Sequence, residues 1–322
     1  MPKNASLFVL GSFVVACSAK VARLPQLGES LRANAFTVEA GGKGLNLALG
    51  AHRLGAEVDG LFAIGNDLFS QLARSAFAEA GLSPAMLRSY EASTGSGIGF
   101  TDPRGDNCLA IYPGANDLLS AQDARAASEA LQRADLVLGQ FEIGDEPILE
   151  AFTLARAAGV RTLLNPSPYR PLDPRILKAT SILVVNRVEA ALLAGSFSSE
   201  SPARSEADDS ELATTLLDHG PDIVVVTLGA DGAVAYQRGA APLRQPSFAV
   251  DAVDTLGAGD AFTAALAVGL SERRPLAQVL ERAAACGAMT CRKLGVFDAL
   301  PTAHDLHLFL AEQRNGRMRA GL

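Results

Sequence analysis

The chain has 322 residues, of which 48% are hydrophobic and 6% aromatic, and its formal net charge is −7. This length and composition exclude a disordered or fibrous chain and favour an α/β protein with many small residues at helix–sheet contacts. The negative charge, together with the lack of basic clusters interleaved with aromatic residues, argues against a nucleic-acid partner.

Cysteine and histidine usage gives no sign of a metal site. The four cysteines show no CxxC pair, and the four histidines are widely scattered apart from His304 and His307, so we expect no zinc centre. Isolated cysteines in a chain of this size fit a reducing compartment, and we expect a cytoplasmic protein. No apolar run approaches the roughly 20 residues of a membrane-spanning helix, so no membrane partner is expected.

The stretch SLFVLGSFVVACSAK, residues 6–20, allows two interpretations. Lys3, an apolar run and Val-Val-Ala before Cys17 resemble the signal of an exported lipoprotein. The same residues are typical of a buried first strand of a folded domain. The rest of the chain has to decide between these alternatives.

The first third of the chain mixes strand and helix patterns. Residues 20–40 alternate apolar and polar positions and predict short strands, whereas 44–54 and 67–81 predict helices. A buried strand is predicted at 58–65, and a strand–turn–strand unit at 94–115. We expect the strand-rich pieces 12–40 and 94–115 to pair into a small separate sheet that lies over an active site.

From residue 121 onward, helices and short β-branched strands alternate regularly. The predicted helices are 121–133, 146–158, 187–194 and 208–219, and the predicted strands are 135–140, 160–164, 181–185 and 222–228. This pattern predicts a mainly parallel sheet sandwiched by helices. The polar stretch 195–210 predicts a surface loop, and 1–322 is interpreted as a single domain.

A glycine-rich turn at residues 41–46 is the first candidate for a ligand site. Gly41, Gly42 and Gly44 open a predicted helix, where backbone N–H groups can approach a ligand without Cβ interference. Lys43 adds a cation, and Asn46 lies one turn further on. The plain alternative is an ordinary strand–helix turn with a solvated lysine. The convergence of Lys43, Asn46 and the helix start favours a polar-ligand site.

A second glycine-rich turn precedes the apolar helix that begins near residue 260. Gly257, Ala258 and Gly259 offer consecutive N–H groups at a helix N-terminus, which suits an anion. Asp260 is a candidate N-cap by the ordinary interpretation. An anion hole beside a carboxylate is also what phosphoryl transfer to a hydroxyl requires, because the carboxylate accepts the proton of the acceptor.

At this point the sequence resembles the ribokinase (PfkB-type) family of carbohydrate kinases over residues 5–310. Both family signatures are present in order and spacing: Gly41-Gly42-Lys43-Gly44-Leu45-Asn46 with Ala48, Gly55 and Gly65, and Asp254-Thr255 through Gly257-Ala258-Gly259-Asp260 to Ala264-Ala265. The further landmarks between them are Gly-Ala-Asn (114–116), Gln-Phe-Glu (140–142), Asn-Pro-Ser-Pro (165–168), Asn-Arg-Val-Glu (186–189) and Thr-Leu-Gly-Ala-Asp-Gly (227–232).

The resemblance implies a ribokinase-like fold with a small β-strand lid and an ATP-dependent sugar kinase that uses Mg²⁺. It implies that Asp260 is the catalytic base and that Gly257, Ala258 and Gly259 form the anion hole. The implied sugar-binding residues are Gly41, Gly42, Lys43, Asn46 and Glu142. The implied nucleotide and Mg²⁺ residues are Asn186, Glu189, Thr227, Gly229 and Gly232. The implied monovalent-cation residues, for K⁺, are Asp254, Thr255 and Gly295. Relatives commonly dimerise through the lid.

Simpler structural roles stand beside several of these assignments. Glu142 is also interpretable as a solvated strand-end carboxylate and Asn186 as a turn residue. Asn165, which precedes Pro166, is expected to fix a turn rather than to bind a ligand. Cys286 and Cys291 are expected to pack the helix beside the nucleotide.

One departure from the family pattern concerns the first strand. The register set by Gly11-Ser12 and by Leu24-Pro25 places Val14 and Ala16 where the family has Asn and Asp sugar ligands. A pocket without these two polar groups is expected to bind ribose poorly, because sugar hydroxyls would be desolvated without partners. An unidentified sugar or sugar derivative is therefore the first candidate acceptor and a nucleoside the second. A phosphorylated acceptor assisted by Lys20 or Lys43 is also open.

Two other function classes remain as alternatives. The loss of the Asp ligand is compatible with a non-catalytic sugar-sensing relative, although the intact Asp260 turn argues against this. The N-terminal run alone motivates the exported lipoprotein. Cleavage before Cys17 would delete the first predicted strand, so we interpret the run as that strand. Its apolar character is partly due to Val14 and Ala16.

Overall fold

The computed structural model describes residues 4–104, 106–197 and 209–320. Within this part of the chain a nine-stranded sheet has the order β13-β12-β11-β10-β9-β8-β1-β4-β5. Its strands are β1 (Ser6–Gly11), β4 (Glu57–Ile64), β5 (Leu87–Ser89), β8 (Leu136–Gln140), β9 (Arg161–Asn165), β10 (Ile182–Asn186), β11 (Ile223–Thr227), β12 (Ala233–Gln237) and β13 (Leu243–Gln245). The strands from β11 to β5 pair in parallel, whereas β12 and β13 pair antiparallel at one edge.

Helices cover both faces of this sheet, as the alternating pattern predicts. They are α1 (Lys43–Arg53), α2 (Leu68–Glu79), α3 (Ala121–Ala126), α4 (Ser128–Arg133), α5 (Asp145–Ala157), α6 (Pro174–Lys178), α7 (Arg187–Gly195), α8 (Asp209–Asp218), α9 (Ala258–Ser271), α10 (Leu276–Thr290) and α11 (Ala303–Ala320). Among helices in the described ranges, none is both long and apolar enough to cross a membrane.

Strand β1 shows why the N-terminal run is so apolar. Leu7 and Val9 belong to the core cluster that includes α1 and α9, whereas Phe8 and Leu10 belong to the cluster on the opposite face of the sheet. A central parallel strand buried on both faces has no place for polar side chains. The run therefore forms β1 and continues into a second strand that contains Cys17.

A second, smaller sheet stands apart from the main one and has the strand order β3-β2-β6-β7. Its strands are β2 (Val14–Lys20), β3 (Ala35–Gly41), β6 (Ser96–Thr101) and β7 (Asn107–Tyr112). The predicted pairing of the pieces 12–40 and 94–115 is thus confirmed, since β2 pairs antiparallel with β3 and in parallel with β6.

Some predicted elements differ from the structure. Residues 21–34 form no strand, because Pro25 lacks an N–H donor and Gly28 has a φ of 78° that breaks an extended run. The predicted helix 121–133 is divided at Ala127, whose N–H donates to both Asp123 and Ala124 carbonyls and tightens the turn. Strands β5, β12 and β13 were not predicted. Most of the predicted loop 195–210 lies outside the described residues.

Small residues bring the helices around α9 close together, as the composition suggested. A Cβ on Gly50 of α1 would lie 3.0 Å from the Cβ of Ala264 on α9. A Cβ on Gly269 of α9 would lie 3.1 Å from the Val279 side chain on α10. These close contacts fix the position of α9, whose first turn carries the second glycine-rich motif.

Candidate active site

The candidate site lies beyond the carboxyl ends of β1 and β8, where the strand order of the sheet reverses. Chain connections lead from β1 through the small sheet to β4 on one side and from β8 to β9 on the other. Such a switch point leaves a crevice between the loops and is a frequent ligand site in open α/β sheets. Ser12 follows β1 and Glu142 follows β8 at this crevice.

The two glycine-rich motifs meet at Asp260. Its carboxylate, in a residue only 4% exposed, accepts a hydrogen bond of 2.7 Å from the Asn46 amide. The Lys43 ammonium lies 3.4 Å from the other carboxylate oxygen. Residues more than two hundred positions apart in sequence therefore form one polar cluster between α1 and α9. Lys43 and Asn46 of the first glycine-rich motif thus both contact Asp260 of the second.

Asp260 is not the N-cap of α9, so that alternative is wrong. The N-cap is Gly257, with a φ of 76°, and no side chain caps this helix. Asp260 is the third helical residue, and its side chain points away from the helix end towards α1. Residues Gly257 to Asp260 thus leave the N–H groups of the first turn without a side-chain partner.

The start of α9 is open at Gly259 but closely packed at Gly257. A Cβ added to Gly259 would meet no atom within 4 Å, so its surface is open to a ligand. Gly257 has a different reason to lack a side chain, because a Cβ there would lie 2.4 Å from Val296. The Ala258 N–H donates to the Thr255 carbonyl at 3.4 Å. The other N–H groups of the turn and the positive end of the helix dipole make it suitable for an anion.

Glu142 is held rather than solvated, so the interpretation as a solvated strand-end carboxylate is wrong. One of its oxygens accepts hydrogen bonds from the Ser12 hydroxyl at 2.6 Å and from the Lys43 backbone N–H at 2.8 Å. The Ser12 oxygen in turn accepts from the Gly44 N–H at 3.1 Å. Two N–H groups of the first turn of α1 are therefore bonded to protein atoms rather than left for a ligand. Within the described residues, Glu142 Oε1 has no hydrogen-bond partner.

Lys43 is the cation among these carboxylates. Burial lowers the pKa of its ammonium group, but the charges of Asp260 and Glu142 and the hydrogen bond to Asp260 outweigh burial, so the pKa is raised. Glu189 contributes in the same direction. Lys43 is therefore charged at physiological pH and offsets the negative charge around Asp260.

A cavity of about 590 Å³ opens on the other side of the α9 start. It is lined by the predicted nucleotide residues Thr227, Gly229 and Gly232, and also by Thr255, Ala258 and Gly259. The remaining wall is mostly apolar and includes Phe248, Val250, Phe262, Ala284 and Ala288. A largely apolar cavity that ends at a helix N-terminus suits a ligand with a flat apolar part and an anionic part.

Asn186 and Glu189 form a capping box at the start of α7 and do not line this cavity. The Asn186 side chain accepts from the Glu189 N–H at 2.8 Å, and the Glu189 carboxylate accepts from the Asn186 N–H at 2.9 Å. Asn186 therefore has the structural role at a turn that the sequence analysis gave as one alternative, because it is the N-cap of α7. Glu189 is buried, and its charge contributes to the raised pKa of Lys43.

Asp254 and Gly295 are brought together as expected. The carboxylate of Asp254 accepts from the Leu256 N–H at 3.0 Å and from the Gly295 N–H at 3.1 Å. These bonds join the loop before α9 to the loop after α10. Among the described residues, no group of three or more His, Cys, Asp and Glu side chains is arranged to hold a metal ion.

Comparison with known proteins identifies the family. Residues 4–303 match the family described as pfkB family carbohydrate kinase. The chain belongs to the pfkB family. It is 34% identical to ribokinase from Mus musculus over 311 residues, covering 95% of each chain. It is 29% identical to deoxyribokinase from Salmonella typhi over 306 residues, covering 94% of this chain and 98% of the relative.

Solved structures of pfkB relatives share the fold described above. The structure of Arabidopsis thaliana ribokinase complexed with ribose and ATP has a TM-score of 0.87 at 28% identity, covering 96% of this chain and 99% of that chain. The ribokinase-like fold, with its mainly parallel large sheet and its smaller sheet, is confirmed. The protein is a carbohydrate kinase, a phosphotransferase of the pfkB family.

Three buried polar residues of this pfkB protein were not predicted as part of the site. Ser12 joins Glu142 to α1, as described above. Asn116, fully buried, bonds to both backbone polar groups of Phe13 and to the Pro113 carbonyl, so it fixes both connections to the small sheet. Gln140 accepts a hydrogen bond from the Glu142 N–H. All three residues stand within motifs quoted above, which was the available signal.

The remaining expectations concern residues near the cavity. The Asn165 amide donates to the Val184 carbonyl at 2.9 Å, which agrees with the structural role predicted for it. Cys291 lines the cavity, whereas Cys286 is fully buried in the core and burial raises the pKa of its thiol to about 12. Gly41 ends β3, where its backbone pairs with Val14.

Proposed function

We propose that this pfkB protein transfers the γ-phosphoryl group of ATP to a hydroxyl of a sugar or sugar derivative, with Asp260 as general base. The observation that carries the proposal is the position of Asp260. Its carboxylate lies in the first turn of α9, between the polar cluster around Asn46 and the cavity bordered by Gly259. A proton acceptor thus stands beside an anion-binding helix start, which is the arrangement phosphoryl transfer requires.

In the proposed reaction the acceptor hydroxyl attacks the γ-phosphorus, its oxygen forms the new O–P bond, and its proton passes to the Asp260 carboxylate. The bond between the γ-phosphorus and the bridging oxygen breaks, and ADP leaves. The N–H groups of Gly257, Ala258 and Gly259 and the helix dipole stabilise the negative charge on the transferred group.

Residues around Asp260 prepare it for this step. Asn46 orients the carboxylate through its hydrogen bond, and Lys43 offsets the charge of Asp260 and Glu142. The free oxygen of Glu142 and the groups of Gly41, Gly42 and Asn46 border the place where an acceptor would lie. Correct placement of reacting groups contributes much of the rate in phosphoryl transfer.

We assign the nucleotide to the 590 Å³ cavity lined by Thr227, Gly229 and Gly232. The ATP complex of the ribokinase from Arabidopsis thaliana supports ATP as the donor. A bound Mg²⁺ would neutralise phosphate charge, and Glu189 and Asn186 are the residues that would hold it, largely through water. A bound K⁺ would lie near Asp254, Thr255 and Gly295, whose loops are already joined.

We assign the small sheet the role of a lid over the acceptor, within one kinase unit that spans the chain. Lid closure would exclude water from the reaction. Phe36, Val38 and Ile98 are 63%, 43% and 55% exposed on the face of β3, β2 and β6 that carries Cys17. We propose that this face pairs with a second copy of the chain, which light scattering would detect as a dimer. We also assign the protein to the cytoplasm.

The experiment that tests the kinase assignment is a product assay. The protein is incubated with MgATP and a panel of sugars, deoxy sugars and nucleosides, and both ADP and the phosphorylated acceptor are measured. Acceptor-dependent ADP release with a matching phosphorylated product is the expected result. ATP binding without any phosphorylated product would instead favour a non-catalytic sensing role.

A further inference from the structure

The face of the small sheet that carries Ala16 has an unusual composition. Register places Ala16 beside Gly97, and Gly97 beside Ile111, on one face of the sheet. The same face includes Val14, Gly99 and Leu109, because Gly99 pairs with Leu109 and side chains alternate along each strand. We call these six apolar residues the inner face. The same side of the sheet also carries Glu39, opposite Ala16, and Ser18, whose hydroxyl lies 3.9 Å from the Cβ position of Gly99.

The inner face points at the reaction centre. Val14 pairs with Gly41, and a Cβ on Gly42 would lie 3.1 Å from the Val14 backbone nitrogen, so this end of β2 borders the turn that leads to Lys43. Glu39, paired with Ala16, extends its carboxylate to 3.5 Å from the Cβ position of Gly295. The inner face therefore borders the start of α1 and, through Glu39, the loop after α10, which Asp254 joins to the loop before α9.

The inner face exposes apolar surface and offers room. Leu109 and Ile111 are 61% and 52% exposed. The three smallest residues, Ala16, Gly97 and Gly99, lie side by side in its centre, and Leu109 is the side chain nearest to both glycines. A hydroxyl packed against Leu109 and Ile111 would lose its water without gaining a hydrogen bond, whereas an apolar group there would be stabilised.

The charges around the site argue against a phosphorylated acceptor. Asp260, Glu142 and Glu39 are three carboxylates near the acceptor space, and Lys43 is already engaged by two of them. Within the described residues, Glu39 forms no ion pair or hydrogen bond of its own. Lys20 lies on the same face of β2 as Ala16 but about 13 Å further along the strand. A phosphate on the acceptor would therefore be repelled rather than bound.

We propose that the acceptor is an uncharged hydroxylated ring with an apolar substituent, which packs against the inner face while the ring hydroxyls face Asn46, Glu142 and Asp260. This inference rests on the proposed kinase function and specifies its substrate class. The shared chemistry can come from alkylated or deoxygenated sugars or from nucleosides. Fully hydroxylated and phosphorylated sugars are disfavoured by the same surface.

A binding experiment with matched acceptors tests this without requiring turnover. Calorimetry would compare ribose, methyl riboside, ribose 5-phosphate and a nucleoside against the full chain. One methyl group in an apolar pocket changes affinity by about tenfold or more, so methyl riboside is expected to bind at least that much tighter than ribose. The measurement with the nucleoside distinguishes a nucleoside acceptor from an alkylated or deoxygenated sugar. Ribose or ribose 5-phosphate binding as tightly as the substituted ligands would overturn the proposal.

Two variants locate the effect on the inner face. Ala16→Asp places a carboxylate in its centre and is expected to reverse the preference between methyl riboside and ribose. Leu308→Asp adds the same charge at an exposed apolar residue of α11, outside the small sheet, and is the matched control, expected to leave the preference unchanged. An equal effect of both substitutions would contradict the assignment.

Gly97→Ala gives an independent check that does not depend on charge. A Cβ there meets its nearest atoms at 3.8 Å, so the variant is expected to fold normally. It narrows the inner face and should weaken binding of the nucleoside more than that of ribose. An unchanged affinity ratio would count against the proposal.

The outcomes separate this inference from the kinase function. If the substituted acceptors bind but are not phosphorylated with MgATP, the kinase assignment fails and the inner-face inference stands. If ribose is phosphorylated and is bound most tightly, the inference fails and the kinase assignment stands. If no substituted ligand binds more tightly than ribose, the inner-face inference fails, whatever the oligomeric state of the protein.

Discussion

The Asn46 amide on α1 donates a hydrogen bond of 2.7 Å to the carboxylate of Asp260 on α9. This bond connects the glycine-rich turn after β3 with the helix start beside the cavity. It orients the carboxylate of the proposed base, and it connects the two halves of the site.

Removal of this contact should reduce turnover. Asn46→Ala leaves Asp260 without its orienting partner, and a displacement of a reacting group by about 1 Å can cost about a hundredfold in rate. We expect kcat to fall by about 10- to 100-fold. Asn66→Ala, the same change at an exposed asparagine, is the control and should retain full activity. An Asn46→Ala enzyme with unchanged kcat would show that Asn46 does not contribute to the reaction.

Ser12 should matter for stability, because it satisfies groups on two elements. Ser12→Ala removes the donor to Glu142 and the acceptor of the Gly44 N–H, both in a buried setting. We expect the free energy of unfolding to fall by about 1–3 kcal/mol, measured by urea denaturation. Ser18→Ala, at an exposed position of β2, should change it by less than about 0.5 kcal/mol. Equal effects would mean that the Ser12 bonds contribute nothing.

The open surface at Gly259 makes a clean test of the nucleotide assignment. Gly259→Ala meets no atom within 4 Å, so the fold should be unaffected, but the methyl group projects where the anion is expected. We expect the KM for ATP to rise at least about tenfold, equivalent to about 1.4 kcal/mol. Gly144→Ala, whose Cβ lies 3.8 Å from its nearest neighbour outside the site, is the control. An unchanged KM for ATP would mean that its phosphates do not bind beside Gly259.

Lys43 should make stability depend on pH in the alkaline range. Its pKa is raised above the ordinary value of 10.5, with Asp260, Glu142 and Glu189 as the facing charges. A raised pKa means that the contribution of the charged lysine is fully present below the unfolded pKa and is lost as the pH passes the folded one.

The corresponding measurement compares wild type with Lys43→Met by urea denaturation. The difference in unfolding free energy should be constant between about pH 6 and pH 9 and should shrink above about pH 10.5. Lys293→Met, at an exposed lysine, should show no such trend. A difference that already declines near pH 7 would contradict the raised pKa of Lys43.

Much of the fold could be predicted because the signals are local. The buried strands from β8 to β11 and the helix that ends before Gly81 follow directly from periodicity and a helix stop. Residues 21–34 could not be predicted as irregular, because their alternation imitates a strand and only Pro25 and Gly28 break it. The short edge strand β5 depends on pairing with β4, which no local pattern reveals.

The candidate site was predictable in its residues but not in its contacts. Asp260 stands out by its glycine-rich turn, yet the sequence left the N-cap interpretation open until its side chain was located. Glu142 was recognisable, but its bonds to Ser12 and to Lys43 arise from the meeting of β1 and β8, residues 130 positions apart in one case. A local sequence pattern does not reveal hydrogen bonds between residues so far apart in the chain.

The most direct test of the account is the turnover of Asp260→Asn with MgATP and an acceptor that the wild type phosphorylates. The amide keeps the shape of the side chain and removes its capacity to accept the proton. General-base catalysis typically contributes about 10²–10⁴-fold, so kcat should fall by that factor while the thermal unfolding curve and nucleotide binding stay close to those of the wild type. A correctly folded Asp260→Asn protein with near-wild-type kcat would contradict the role of Asp260 as the base.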